Sequence, residues 1–214
     1  MQSERVQLPL RERNRQRIYQ RIVNAATELF RTAGYDQTTM DAIAERAEVS
    51  RGTLFNYFPS KEVLLIPFAG ELYKQSVQPE ILSYLDTQPG TLQVLRFLFL
   101  RIHEHILTLP HIDRALHLEF FQPRTRTPEC SNEIGFLETL TTILRDGQQR
   151  GEVRIDLPLE HMVRYVGVLY IALLYALVEQ ETPTRYAKEV ETLLAFLRTA
   201  LEPSPQNTLD NVDR

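Results

Sequence analysis

Apolar residues recur at three- and four-residue spacing along almost the whole chain, the period of helices with one covered face. The first such stripe is Ile18, Ile22, Ala25, Ala26, Leu29, Phe30 and Ala33, with Arg15, Gln16, Gln20, Asn24 and Glu28 largely off it. It predicts a helix over about 13–32, ended by Gly34 in a left-handed position. Thr38 or Thr39 is placed to cap a second, short helix whose Ile43, Ala44 and Ala47 face inward, and Ser50 to cap a third that runs to Phe58. Pro59 and Ser60 close the third and open a longer helix from Lys61. Later prolines divide the rest into helices over about 61–86, 89–108, 110–121, 129–150, 158–180 and 184–201. Only residues 152–155 are compatible with a strand. The expected fold is all-α with about nine helices: a basic arm (1–12), a three-helix unit (13–60), a larger helical domain (61–201) and a disordered polar tail (202–214).

The stretch from Thr38 to Leu65, TTMDAIAERAEVSRGTLFNYFPSKEVLL, carries more than a fold pattern. Two helices crossing steeply over a tight turn need a small residue where they touch and apolar anchors on both sides. Ala44 is the small contact, Ile43 and Ala47 fill behind it, Val49 anchors the turn, and Leu54 with Tyr57 or Phe58 fixes the second helix. Arg51, Gly52, Thr53, Phe55 and Asn56 are left outward or near the N-terminal end of that helix, where a DNA recognition helix meets base edges. Arg51 suits guanine O6 and N7, Asn56 adenine or a phosphate, and Thr53 a thymine methyl or a phosphate, while Gly52 lets the backbone come close. Lys61, opening the next helix, offers charge to a phosphate.

Charge supports this reading only once it is divided along the chain. The 214 residues have a net charge of −4, which taken whole argues weakly against nucleic acid. Residues 1–62 nonetheless hold ten Lys/Arg against eight Asp/Glu, and Arg11, Arg13, Arg15, Arg17 and Arg21 are opposed locally by Glu12 alone. The N-terminus has no apolar core of a secretory signal, and a single cysteine, Cys130, excludes an intrachain disulfide framework, so a cytoplasmic location is expected. No cofactor or metal is implied: His103 and His105 are two apart, on different sides of a helix.

From Phe30 through Leu65 the chain resembles the DNA-binding domain of the tetracycline-repressor (TetR/AcrR) family. The shared features are Phe30, Gly34 and Tyr35 of a Phe-x-x-x-Gly-Tyr segment, the Thr-Thr pair before Ile43-Ala44, the turn Val49-Ser50, and Tyr57-Phe58-Pro59-Ser60-Lys61-Glu62. GQQRGEVR, 147–154, is of a kind often seen between two late helices of that family. The resemblance implies a homodimer on a near-palindromic double-stranded DNA operator, released by a small-molecule effector whose identity the sequence does not give. Carried over by position, DNA contacts fall at Thr39, Arg51, Gly52, Thr53, Phe55, Asn56, Tyr57 and Lys61. Two positions depart from the family pattern. Glu48 stands at a turn position that is often Gly, at a cost of about 1 kcal/mol if left-handed and with a negative charge near DNA; Phe55 lacks the hydroxyl of the Tyr often found there.

The segment Met162 to Val178 is apolar nearly all round, and a helix of that kind must be covered on both sides. Its longest uncharged run, fourteen residues from Tyr165, is shorter than the roughly 18 of a membrane span. Paired with the stripe on the last helix, it predicts a four-helix dimer interface containing Val166, Tyr170, Leu173, Leu174, Leu177, Val190, Leu193, Leu194 and Leu197. Phe97, Phe99, His103, His117, Phe120, Phe121, Tyr165 and Tyr170, aromatic with a few polar heads, are the candidate effector-pocket residues. Pro67, inside the expected 61–86 helix, is a candidate hinge. Activation in place of repression stays open, as do two more distant readings, a helical enzyme and a membrane-associated adaptor. The sequence contains no Gly-x-Ser-x-Gly, phosphate loop or His-Glu-x-x-His to support the enzyme.

Overall fold

The structure is a computed structural model that describes residues 9–107, 109–112, 115, 135–177 and 183–203, with the backbone alone at 175–177 and 183. The candidates His117, Phe120 and Phe121, and the single cysteine Cys130, lie outside the described residues. Pro9 supplies the extended residue before α1 (Leu10–Thr32), so the expected arm is already helical from Leu10. Gly34, at φ 84°, turns the chain out of α1. Two seven-residue helices come next, α2 (Met40–Arg46) and α3 (Arg51–Tyr57). Tyr19, Ile22, Val23, Ala26 and Phe30 of α1, Ile43 and Ala44 of α2, and Leu54 of α3, with Ala47 and Phe58 just beyond them, form one buried cluster.

The helix expected over 61–86 is observed as four pieces. A 3₁₀ turn (Glu62–Leu64) leads into α4 (Leu65–Leu72), then a π-turn (Tyr73–Val77) and α5 (Gln78–Leu85). Pro67 falls in the first turn of α4, where a missing N–H matters least, and the chain is irregular on either side of it instead. The π-turn has a local cause: Pro79 lacks an N–H, and its ring conflicts with the carbonyl four residues back at Gln75. Next come α6 (Thr91–Ile102) with a second π-turn (His103–Leu107), then α7 (Phe136–Gln149), α8 (Leu159–Leu177) and α9 (Pro183–Leu201). Helix α6 is central in this half, with Val94, Leu95, Leu98 and Phe99 fully buried among α5, α7 and α9. No strand occurs among the described residues, and 152–155 lies in the α7–α8 connection.

That connection explains the GQQRGEVR segment. A Cβ on Gly147 would stand 2.6 Å from Val153 Cγ2 and closer still to Thr91 Oγ1, so α6 and α7 meet where only glycine fits. Arg150 donates to the Pro89 carbonyl at 2.7 Å and pairs with Asp146 and Glu152. The Glu152 carboxylate accepts from the Thr91 amide (2.7 Å) and hydroxyl (2.8 Å), capping α6 from another element. Partial burial pushes the Glu152 carboxyl up, but these hydrogen bonds and Arg150 outweigh it and leave the pKa below its ordinary value. The Arg154 amide donates to Leu201 at 2.8 Å, tying the same loop to the end of α9.

Gly147→Ala is expected to lower stability by about 1–3 kcal/mol through overpacking, read as a lower thermal midpoint. Because the Glu152 pKa is depressed by folding, its contribution is present at neutral pH and is lost as pH falls through the carboxylate range. Glu152→Gln should therefore narrow the stability gap to wild type on acidification, measured by urea titrations at several pH values.

Candidate nucleic-acid interface

Two turns set the geometry of the N-terminal head, and a cation holds each. In the α1–α2 turn Lys61 Nζ donates to the carbonyls of Tyr35 (2.7 Å) and Thr38 (2.9 Å) and lies 4.1 Å over the Tyr35 ring. The buried Thr38 hydroxyl donates to the Gly34 carbonyl, and Thr39 then caps α2 by accepting the Ala42 amide at 3.1 Å. Lys61, expected to meet phosphate, thus has its ammonium turned inward on the turn preceding α2 in the free chain. The α2–α3 turn is left-handed at Glu48, φ 50°. Arg21, from α1, donates to the carbonyls of Ala47 (2.5 Å) and Glu48 (3.1 Å) and to the Glu48 carboxylate (3.0 Å). The unusual turn residue is therefore tied down, and its negative charge has a cationic partner. Arg46 pairs with Glu28, fixing α2 against α1.

Helix α3 is capped by Ser50, whose hydroxyl accepts the Thr53 amide at 3.0 Å and shares a 2.8 Å hydrogen bond with the Thr53 hydroxyl. Leu54 and Phe58 point into the core, where the Phe58 ring lies 5.1 Å from Tyr19. On a helix this leaves Arg51, Gly52, Phe55 and Asn56 on the solvent side, all exposed, with Thr53 and Tyr57 half-buried at the flanks. Arg51 Nε pairs with Asp41 at 2.8 Å, but both side chains are more than half exposed, so water or phosphate exchanges with the pair at little cost. The structure also brings two residues to this surface that no site expectation named. Arg11 and Arg15 line a polar groove of about 490 Å³ with Glu12, Asn56 and Tyr57, between the start of α1 and the end of α3. Their sequence signal was the arginine run, which shows charge but not which residues share a face with α3.

The second half contains the candidate sensor residues, and they divide. Tyr170 and Phe99 stack at 4.1 Å, His103 stacks on Tyr186 at 4.2 Å, and the Tyr170 and Tyr186 hydroxyls lie 2.9 Å apart. Burial holds the His103 pKa below its ordinary value, with Glu104 partly offsetting it. Phe97 lies instead against Tyr84 (4.7 Å) on the α5 side, and Tyr165, 55 % exposed, is on the outer surface. Tyr186 was not foreseen, because its partners are far away in sequence.

Most of the expected dimer residues are covered within the single chain. Val166, Tyr170, Leu174, Val190, Leu194 and Leu197 are buried within the single chain, Leu173 and Leu193 are half-buried, and the Leu177 side chain lies outside the described residues. The face left open is Tyr165, Val168, Leu169 and Phe196, bordering with Leu157 an almost wholly apolar groove of about 560 Å³ between α8 and α9. An apolar helix on all sides gives two candidate faces, and periodicity alone does not choose between them.

Residues 22–66, which span the core of the head, match the family of bacterial regulatory proteins, tetR family. The fatty acid metabolism regulator protein of Bacillus subtilis is 31% identical over 139 residues, covering 64% of this chain and 71% of that protein. The transcriptional regulator UidR of Escherichia coli K12 is 28% identical over 192 residues, 86% of this chain and 93% of its own. The crystal structure of Thermus thermophilus FadR, a TetR-family transcriptional repressor solved with lauroyl-CoA, superposes with a TM-score of 0.63 at 31% identity over 83% of this chain and 92% of that one. Identity of that order across most of two chains, joined to an exposed α3 on a clamped helix-turn-helix, establishes that the chain belongs to the tetR family of bacterial regulatory proteins and is a transcriptional regulator.

Proposed function

We propose that the chain represses transcription as a homodimer on a near-palindromic operator and is released by a fatty acyl-CoA. The exposed face of α3, with Arg51, Gly52 and Asn56 outward and Arg11 and Arg15 beside it, carries the DNA part of this reading. Phe55 shares that face, and Thr39, Thr53 and Tyr57 flank it, where contacts to sugar, phosphate and base methyl groups are made. Lys61 acts on the operator through the turn it holds. The effector class is drawn from likeness: the Thermus FadR resembling this chain was solved with lauroyl-CoA, and the Bacillus relative is named for fatty acid metabolism. The aromatic interior around Phe99, Tyr170 and Tyr186 suits an acyl chain in its vicinity.

Dimerisation through the open α8–α9 face supplies the second recognition helix that a palindrome needs, roughly 34 Å from the first. It also covers an apolar surface that a free chain would expose to water. Among the described residues no helix is long and apolar enough to cross a membrane.

Selection of bound fragments from random DNA should return an inverted repeat. Arg51→Ala and Asn56→Ala are each expected to weaken binding to it by about tenfold or more. Lys61→Ala should lower both thermal stability and affinity while leaving the salt dependence unchanged; a slope of log K against log salt reduced by about one would instead assign its ammonium to a phosphate. Phe196→Glu is expected to give monomers in sedimentation velocity and to weaken operator binding with them. Lauroyl-CoA should displace the operator in a fluorescence anisotropy titration where free coenzyme A does not; equal effects of the two would remove the acyl chain from the proposal.

A further inference from the structure

The α1–α2 turn is also touched from the other half of the chain. His111 lies beyond the π-turn that ends α6, and its Nε2 stands 3.2 Å from Asp36 Oδ1. Its ring centroid is 5.1 Å from that of Tyr35, the same ring that packs on Phe30 at 5.3 Å and lies beneath the Lys61 ammonium. The aim of the side chain is set by its backbone. His111 is left-handed at φ 61°, a region that few residues other than glycine adopt, though histidine does so more readily than most. Ile112, the next residue, and Ala115, four along, are buried, so the loop is rooted in the core.

The end of α6 fixes where that loop starts. The Phe99 carbonyl, where the α-helical ladder of α6 gives way to the π-turn, accepts the Tyr186 hydroxyl at 2.7 Å, with the Tyr170 hydroxyl at 3.4 Å. The His103 amide is shared between the carbonyls of Phe99 and Leu100 at the same point. Tyrosines from α8 and α9 thus hold the irregular end of α6 in place, and single π-turns inside helices are often functional. The other π-turn packs against this one and reaches the head too, through Gln75 Oε1, which accepts from Arg31 at 2.5 Å.

We propose that His111 is a positioning residue for operator binding: through Asp36 and Tyr35 it steadies the turn that places α2 and α3, and the tyrosine-held π-turn fixes where His111 stands. The proposal rests on the reading of α3 as an operator-binding helix. It gives a route from the Tyr170–Tyr186 pair to α2 that does not run along α4. His111 and Asp36 are partly and largely exposed, so the contact is a modest one, and its effect on affinity is expected to be about three- to fivefold.

The test uses the full chain and the selected operator as a fluorescent fragment. His111→Gly removes the ring while leaving the left-handed backbone accessible, and Asp36→Asn removes the partner charge. Each is expected to weaken operator affinity by about three- to fivefold. The double variant should be no weaker than either single one, with thermal unfolding and salt slope as in wild type, since neither residue meets a phosphate. Tyr186→Phe should weaken binding in the wild-type background and have no effect in His111→Gly. Additive losses, unchanged or tighter binding in both single variants, or a flattened salt slope would overturn the proposal; should Tyr186→Phe fail to fold, the His111/Asp36 cycle decides it. Failure of the wild-type protein to select any sequence would count against operator binding itself, a result distinct from all of these.

Discussion

A lysine ammonium collecting the backbone carbonyls of one turn is the interaction on which the reading head depends. The α1–α2 turn must reverse the chain in a few residues, and its carbonyls of Tyr35 and Thr38 converge with no helix or strand to satisfy them. Lys61 supplies donors from the segment leading into α4, so the same contact closes the turn and fastens the head to the second half of the chain. Thr39 can cap α2 only if that turn is in place, and the α2–α3 turn with its Arg21 clamp can place α3 only if α2 is. A single charge, half-buried against the Tyr35 ring, thereby sets the orientation of a recognition helix it does not touch.

Much of the head was legible in the sequence because its signals are local. Ser50 and Thr39 act as caps, Gly34 takes a left-handed turn, and Ile43, Ala44, Ala47 and Leu54 are buried as their spacing requires. The left-handed Glu48 was also visible, as the wrong residue for its position. What offsets it was not, because Arg21 lies 27 positions earlier and reads in sequence as one more arginine of a basic run. Lys61 is a related case. A cation at the start of a helix looks available to phosphate until the carbonyls it meets, 23 and 26 residues back, are placed beside it.

The second half was legible in outline and obscure in detail. Proline punctuation located α8 and α9 to within a few residues and the end of α7, though not its start, yet gave no sign that two helices would carry π-turns. In the first the cause is Pro79; at the second the Phe99 carbonyl accepts hydroxyls from Tyr170 and Tyr186, far along the chain. The residues expected at a dimer face lie mostly on the side of α8 and α9 that the chain itself already covers. Val166 and Val168 are equally apolar, and only the fold shows that the first is covered and the second is open.

The π-turn after α6 also bears on what kind of response the molecule can give. A backbone in π register differs from an α-helix by a whole residue, so passage between the two is a step of about 1.5 Å along the axis and about 100° around it, with hydrogen bonds exchanged and not stretched. The His103 amide, shared between the Phe99 and Leu100 carbonyls, marks where one register passes into the other. Glu152 holds the other end of α6, and His111 lies just beyond the end at which such a step would occur. A response that used this step would be discrete: a graded supply of effector would change the fraction of molecules that have switched, not how far each one has moved.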